Sequence, residues 1–158
     1  MNNILIRKAV KEDVPTIQSL IKELAIYEKL EHEALATIED LEREIFDNKS
    51  ASVHIAEYNS KPVGYSLHFY TFSTFLAKKG IYLEDLFVLE EYRGKGIGKS
   101  LLKNIAKEAV DNGFGRVEWS VLDWNQPAID FYKSLGANPQ SEWTMFRLTG
   151  NALEKFGK

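Results

Sequence analysis

The sequence contains no cysteine among its 158 residues. Disulfides, cysteine-ligated metal sites and a thiol nucleophile are therefore excluded, and the absence is compatible with a reducing cytoplasm. Long apolar runs are also missing, because none approaches the ~18 residues of a membrane span. The first residues lack the basic-then-apolar pattern of a signal segment. We therefore expect a cytoplasmic protein with no membrane partner and no metal site.

Positive charge is in deficit, since 20 lysines and arginines stand against 23 aspartates and glutamates. The net charge of −3 argues against a nucleic-acid partner or an anionic membrane surface. Negative charge is concentrated between Glu28 and Asp47, where eight acids accompany two basic residues. Such a segment is either a set of solvated helix faces or a field that attracts a cationic substrate.

A glycine-rich stretch at residues 93–99 lies between an apolar, strand-like run at 86–89 and a helical pattern at 100–110. A turn of this kind presents backbone N–H groups and the positive end of a helix dipole to an anion. The alternative is a tight connection in which the glycines serve only the turn. A P-loop is excluded because its first glycine would fall at Arg93, and the spacing G-x-G-x-G is not that of a Rossmann fingerprint.

Length and a composition of 44% hydrophobic and 27% charged residues predict one globular domain spanning residues 1–158. Apolar periodicity predicts a mixed α/β protein. The predicted strands are 4–9, Ser52–Tyr58, 63–72, 81–89, 117–122 and 143–148. The predicted helices begin near Asp13 and Thr37, follow the glycine-rich stretch, and span 126–135 and 151–156. Thr37, with Asp40 three residues on, is a weak form of the capping box.

The pattern Arg93-x-x-Gly96-x-Gly98 resembles the pyrophosphate-binding signature of the GCN5-related N-acetyltransferases (GNAT superfamily). Residues 124–137 are similar to the segment of that family in which an asparagine caps a helix beside coenzyme A. Blocks at 20–28, 82–88 and 92–98 resemble the diamine (spermidine/spermine N1-) acetyltransferase-like branch. The resemblance covers most of the chain. It implies the GNAT fold, a central, mostly antiparallel, twisted sheet of six to seven strands flanked by helices.

The resemblance also implies acetyl-CoA as the acetyl donor, with its diphosphate held by the glycine-rich stretch. Asn125 followed by Pro127 suits a helix N-cap and first turn. The residues expected to contact acetyl-CoA are Leu86, Phe87, Val88, Arg93, Gly94, Lys95, Gly96, Ile97, Gly98, Lys99, Asn125, Pro127 and Ala128.

Acetyl transfer to an amine needs a proton acceptor, because an alkylamine of pKa ~10.4 is protonated at neutral pH. Glu84 and Asp85 are adjacent acids on a predicted strand, so we expect them to point to opposite faces. Glu84 is the expected acceptor, through a water relay. Backbone N–H groups of residues 86–88 could hold the thioester oxygen if a bulge opens this strand. Tyr132 is expected to protonate the leaving thiolate, which its pKa of ~10 suits.

The resembled fold brings several of these residues to one acceptor pocket, where carboxylates would hold the distal ammonium of a diamine or polyamine. The expected substrate-binding residues are Tyr27, Glu28, Glu84, Asp85 and Glu142. A thialysine- or lysine-like amino acid, a protein lysine, and a non-catalytic acyl-CoA-binding module remain as alternatives. The resemblance implies a homodimer, and the aromatic-rich stretch 65–75 exceeds what one small core needs.

Overall fold

The computed structural model describes residues 3–158, which divide into two compact units. The first unit ends at Ser120 and the second is Val121–Lys158. The strands of the first unit are β1 (Ile4–Lys8), β2 (Ser52–Tyr58), β3 (Lys61–Ser73), β4 (Lys78–Val88) and β5 (Val117–Trp119). Its helices are α1 (Val14–Tyr27), α2 (Ile38–Leu41), which continues as a π-helix over Glu42–Asp47, and α3 (Ile97–Asp111). The single domain over residues 1–158 stays a prediction.

The strands form one sheet in the order β1-β2-β3-β4-β5. The first four strands pair antiparallel with their neighbours, and β4 pairs with β5 in parallel. The mixed α/β class and the mostly antiparallel sheet are thus confirmed. The predicted count of six to seven strands was slightly high, because five strands are present among residues 3–158.

Helices cover both faces of this sheet. On one face α1 and the segment at residues 38–47 bury Ile17, Leu20 and Ile45 against the sheet residues Ile55 and Tyr65. On the other face α3 buries its apolar stripe, including Ile97 and Leu101, against Val63 and Val88. Burial of apolar surface on both sides of the sheet stabilises this unit.

Local sequence signals explain where the helices start. Pro15 lies in the first turn of α1, where its missing N–H costs nothing. Thr37 caps α2, since its hydroxyl accepts the N–H of Asp40 at 3.1 Å while the Asp40 carboxylate accepts the N–H of Thr37 at 3.1 Å. The capping box predicted from these two residues is confirmed.

A β-bulge interrupts β4. Leu67 of β3 lies opposite Asp85 and His68 lies opposite Leu83, so Glu84 is the extra residue on β4. The regular alternation that placed Glu84 and Asp85 on opposite faces is therefore broken at this point. Beyond the bulge, β4 is no longer in register with β5, whose pairing ends at Leu83 and Trp119. The strand predicted over 117–122 is accordingly shorter.

The second unit contains α4 (Gln126–Ser134) and α5 (Gly150–Phe156). The strand predicted over 143–148 was wrong, because these residues have no regular secondary structure. They are exposed, and none of the pairings among residues 3–158 involves them. Alternating apolar residues cannot form a strand without a neighbour to satisfy the backbone N–H and C=O groups. Within the described part of the chain, no helix is both long and apolar enough to cross a membrane.

Candidate active site

The glycine-rich stretch forms an open loop that leads into α3. Gly94 and Gly96 have φ angles of 79° and 84°, a region that side chains with a Cβ rarely adopt. A Cβ added at either position would meet no atom within 4 Å, so the backbone is accessible to a ligand. Gly96 is the N-cap of α3, and no described side chain caps this end of the helix. The N–H groups of the first helical turn are therefore available to an anion.

The side chains of this loop serve different purposes. Arg93 donates from Nε to the carbonyl oxygen of Val88 at 3.0 Å. Its guanidinium carbon lies 4.5 Å from the ring centroid of Tyr27 and 5.5 Å from that of Phe87. Arg93 thus ties the loop to the end of β4 and to α1. Its expected contact with a diphosphate stays a prediction.

The other predicted loop residues surround the start of α3. Ile97 is buried in the core beneath the helix, while Lys95 extends along the surface with its Nζ 5.4 Å from the ring centroid of Tyr58. Gly98 lies inside α3, where a Cβ would contact Val88 Cγ2 at 3.9 Å. Lys99 occupies the first turn of α3. The lysines place positive charge beside the open backbone of the loop, as an anionic ligand requires.

The end of β4 presents backbone donors at its outer edge. Leu89 donates its N–H to the carbonyl oxygen of Val63 at 2.8 Å, toward β3. Because N–H groups alternate sides along a strand, those of Leu86 and Val88 point to the opposite edge. No β5 residue pairs there, since the β4–β5 pairing found in residues 3–158 ends at Leu83. The bulge required for an opened strand is present, and the binding of a thioester oxygen there stays a prediction.

Three acids and two tyrosines meet where α1 ends beside β4. Glu28 is the half-buried C-cap of α1, and burial together with the charge of Glu84 raises the pKa of its carboxyl. Asp85 accepts a hydrogen bond from the Tyr65 hydroxyl at 2.9 Å. Tyr27 directly precedes Glu28 and packs against the core that contains Tyr65, with its ring centroid 6.4 Å from that of Phe87. We refer to Tyr27, Glu28, Tyr65, Glu84 and Asp85 as the acidic cluster.

Burial has the largest effect on the titration of Asp85. Burial and the negative charges of Glu84 and Glu28 raise the pKa of this carboxyl, the Tyr65 hydrogen bond opposes the rise, and the net result is a change from 3.8 to about 6. Burial, followed by the charge of Asp85, also raises the pKa of Tyr65 well above its ordinary value. Glu84, by contrast, is exposed. A carboxyl that titrates near neutral pH is typical of functional sites.

Sequence reasoning did not identify Tyr65. Its side chain is fully buried, at 0% exposure, and it lies diagonally across the β3–β4 ladder from Asp85. The only signal in the sequence is a tyrosine at an inward position of an alternating strand, which usually indicates core packing. The contact with Asp85 depends on strand register, which the sequence does not reveal.

The remaining predicted site residues belong to the second unit. Asn125 caps α4, and its side-chain oxygen accepts the N–H of Ala128 at 3.4 Å, with Pro127 in the first turn. This predicted cap is confirmed. Tyr132 is half-buried in α4, its ring centroid 5.6 Å from that of Phe131. Glu142 is exposed. The expected convergence of these residues with the loop and the acidic cluster stays a prediction.

Metal ligands are not grouped in the described part of the chain: no three His, Cys, Asp or Glu side chains in residues 3–158 could hold an ion together. The expected absence of a metal stays a prediction.

Comparison with known proteins identifies the family. The model of the acetyltransferase (GNAT) family matches residues 17–137, which include the loop, the acidic cluster and α4. An L-ornithine N5-acetyltransferase of Arabidopsis thaliana is 35% identical, covering 97% of this chain and 87% of that protein. A thialysine N-epsilon-acetyltransferase of Sus scrofa is 38% identical and covers 98% of each. A spermidine/spermine N(1)-acetyltransferase-like protein of Homo sapiens is 35% identical over 97% of this chain and 24% of its own length.

The fold of this chain is similar to that of a solved structure. An integron cassette protein from the mobile metagenome of V. cholerae matches with a TM-score of 0.84 and 30% identity, covering 98% of both chains. The chain belongs to the GNAT acetyltransferase family, in the branch that includes the spermidine/spermine-type enzymes. It is an N-acetyltransferase, and its family uses acetyl-CoA as the donor. The predicted family, fold class and enzyme class are confirmed.

Proposed function

We propose that this enzyme acetylates a primary amine of a small molecule that carries a second cationic group, with diamines and polyamines such as spermidine as the preferred class. The observation that carries the proposal is the acidic cluster, in which Glu28, Glu84 and Asp85 are close enough to perturb one another electrostatically. A distal ammonium would satisfy these carboxylates, while a monoamine would leave them unpaired.

The loop fits the diphosphate of acetyl-CoA, because Gly94 and Gly96 leave the backbone open and the first turn of α3 lacks a side-chain cap among the described residues. When bound, acetyl-CoA supplies the acetyl group as a thioester. The N–H groups of Leu86 and Val88 would polarise the acyl oxygen at the outer edge of β4. The contacts expected from Phe87, Lys95, Asn125, Pro127 and Ala128 are part of the same proposal.

The reaction needs a proton acceptor for the substrate ammonium and a proton donor for the leaving sulfur. A carboxylate of the acidic cluster takes a proton from the substrate ammonium, which frees the nitrogen lone pair for attack. Sequence reasoning assigns this role to Glu84. Tyr132 would supply a proton to the leaving sulfur, a role that its hydroxyl can perform because phenol and thiol pKa values are similar. Glu142 would add a further carboxylate for the distal ammonium.

A second candidate substrate is an amino acid with a side-chain amine. Relatives are named for thialysine and for ornithine, both of which carry a carboxylate beside the second ammonium. The Arg93 guanidinium, 4.5 Å from the centre of the Tyr27 ring, lies next to the acidic cluster and would form an ion pair with the carboxylate of such a substrate. Polyamines rank first because the cluster itself contains three acids and no cation.

Matched substrates test the proposal. 1,4-Diaminobutane and butylamine differ only in the second ammonium, and ornithine differs from 1,4-diaminobutane only in its carboxylate. Charged hydrogen bonds of about 1.5–3 kcal/mol predict that kcat/KM for spermidine and 1,4-diaminobutane exceeds that for butylamine by roughly 10- to 150-fold. Glu28→Gln should reduce this ratio while affecting butylamine little. Equal rates for butylamine would contradict the proposal, and a preference for ornithine would support the second candidate.

We also propose that the chain forms a homodimer. Phe75 is 100% exposed at the turn between β3 and β4, and Phe72 and Leu76 beside it are 62% and 51% exposed. In the second unit, Trp143 and Phe146 are 80% and 92% exposed. Exposed large apolar side chains that lie close together mark protein–protein contacts in soluble proteins. Burial of these side chains against a second copy would remove the cost of their exposure.

A further inference from the structure

The Tyr65 hydroxyl is a polar group in an apolar core. The ring packs with α1 and the α2 segment in the core on this face of the sheet. A phenylalanine would fill the same space without a polar atom, and a buried hydroxyl without a partner costs about 1–3 kcal/mol. The Tyr65 hydroxyl donates a hydrogen bond to Asp85 Oδ2 at 2.9 Å, which satisfies it. Tyr65 thus reaches from the core to the carboxylate and fixes one of its oxygens.

The groups that face Asp85 come from three elements. β4 contributes Glu84, the end of α1 contributes Glu28, and β3 contributes Tyr65. The charged groups that act on Asp85 are thus both acidic. A carboxylate whose charge is opposed by burial and by two neighbouring acids has a strong tendency to take up a proton. The hydrogen bond from Tyr65 favours the ionised form and limits that tendency.

We propose that Asp85 accepts the proton of the substrate ammonium and that Tyr65 is the positioning residue that orients Asp85 and keeps it ionised. This inference rests on the proposed function, in which the acidic cluster receives the amine. It reassigns the acceptor role from Glu84, which lies on the bulge and is exposed, to its half-buried neighbour Asp85. Glu84 and Glu28 then hold the distal ammonium and tune Asp85 by their charge.

The proton balance is complete without another reactant. The Asp85 carboxylate removes one proton from R–NH3+, and the O–H bond formed leaves a neutral R–NH2 with a free lone pair. The nitrogen forms the new C–N bond as the C–S bond breaks. The nitrogen loses a second proton, and the sulfur takes one to leave as a thiol. One proton is released to water overall, and Asp85 regains its charge for the next cycle.

The pH dependence of kcat/KM distinguishes Asp85 from Glu84. Asp85 must be ionised to act, so activity of the wild type should fall as the pH drops through about 6. Tyr65→Phe removes only the hydroxyl, which stabilises the ionised form, so the acid limb should move up by about one pH unit. The plateau at high pH should be preserved. At a pH on the acid limb, kcat/KM of Tyr65→Phe should be roughly tenfold lower than that of the wild type.

Two further variants separate the roles of Glu84 and Asp85. Glu84→Gln removes a negative neighbour, so the limb of this variant should move down in pH. Asp85→Asn removes the acceptor, and kcat/KM should fall by ~10²–10⁴ on the plateau. Tyr82→Phe is the matched control. Its hydroxyl also lies on the sheet but pairs with Ser120 Oγ at 2.7 Å, outside the acidic cluster, so its profile should match the wild type.

Each outcome supports or overturns the assignment. Loss of stability in Tyr65→Phe could mimic a shift if the variant unfolds at acid pH, so circular dichroism at each pH must show that it is folded over the whole limb. An unmoved limb in Tyr65→Phe overturns the role of Tyr65, and normal turnover by Asp85→Asn overturns that of Asp85. Loss of the acid limb in Glu84→Gln would assign the role of proton acceptor to Glu84. If no diamine is acetylated by the wild type, the proposed function fails instead.

Discussion

The ionised carboxylate of Asp85 should destabilise the folded protein at neutral pH. Burial and two acidic neighbours raise the pKa of its carboxyl from 3.8 to about 6, so the folded state disfavours its charge. Asp85→Asn keeps the shape of the side chain and removes the charge. The amide oxygen can still accept the hydrogen bond that the Tyr65 hydroxyl donates at 2.9 Å. We therefore expect Asp85→Asn to be more stable than the wild type while losing activity.

The size and sign of this difference in stability follow from linkage between protonation and folding. The folded-state pKa lies above the unfolded one, so the contribution of Asp85 to stability is fully present below about pH 4 and is lost as the pH rises through about 6. A difference of about two pKa units at 1.36 kcal/mol each gives about 3 kcal/mol at pH 8. At pH 5 the unfolded chain is ionised but folded Asp85 is mostly protonated, and the gap should be about 1.5 kcal/mol.

Urea unfolding at pH 5 and pH 8 measures both values, with an unchanged m-value as evidence that only stability has altered. In thermal unfolding the pH 8 difference should appear as roughly 6–12 °C for a chain of this size. Glu23→Gln is the control, because Glu23 is exposed on α1 and removal of its charge should change stability by no more than about 0.5 kcal/mol at either pH. An Asp85→Asn protein no more stable than the wild type at pH 8, or a gap independent of pH, would refute the reasoning.

Three further predictions concern the coenzyme, the leaving group and assembly. Gly96→Val places a β-branched residue at φ 84° in the loop and should abolish acetyl-CoA binding in calorimetry. Gly113→Val has the same backbone strain at φ 68°, beyond the end of α3, and should keep the affinity; equal losses in both variants would reject the loop as the binding site. Tyr132→Phe should lower kcat by ~10²–10⁴ with little change in acetyl-CoA affinity, and near-normal turnover would show that the hydroxyl is not the proton donor. Sedimentation should detect a species of twice the 18.1 kDa chain mass, weakened by Phe75→Ser, whereas a monomer alone at micromolar concentration would contradict the dimer.

Features that depend on a few neighbouring residues could be predicted from the sequence. The capping box of Thr37 and Asp40, the Asn125 cap of α4, and the bounds of β2 all follow from local chemistry or alternation. The position of the glycine loop before α3 has the same origin, since a positive φ favours glycine wherever the chain folds. These signals act within one turn or one strand, so no knowledge of the tertiary structure is needed.

Features that depend on partners distant in the sequence could not be predicted. The bulge at Glu84 exists only in relation to the register of β3, and the hydrogen bond between Tyr65 and Asp85 joins residues twenty positions apart. The segment 143–148 alternates like a strand, yet without a neighbouring strand its pattern does not produce one. Sequence reasoning therefore found the acids of the candidate site but not the buried tyrosine that holds one of them.

The bulge in β4 lies next to both the backbone donors and the proton acceptor of the proposed reaction. Before it, β4 pairs with β5; after it, the N–H groups of Leu86 and Val88 point to an edge where no described strand pairs. The same extra residue, Glu84, places a second carboxylate next to Asp85 and raises the tendency of Asp85 to bind a proton. A strand in regular register would point the two acids to opposite faces of the sheet. The irregularity therefore places like charges together near these backbone donors, as expected of a strand whose end is shaped for catalysis.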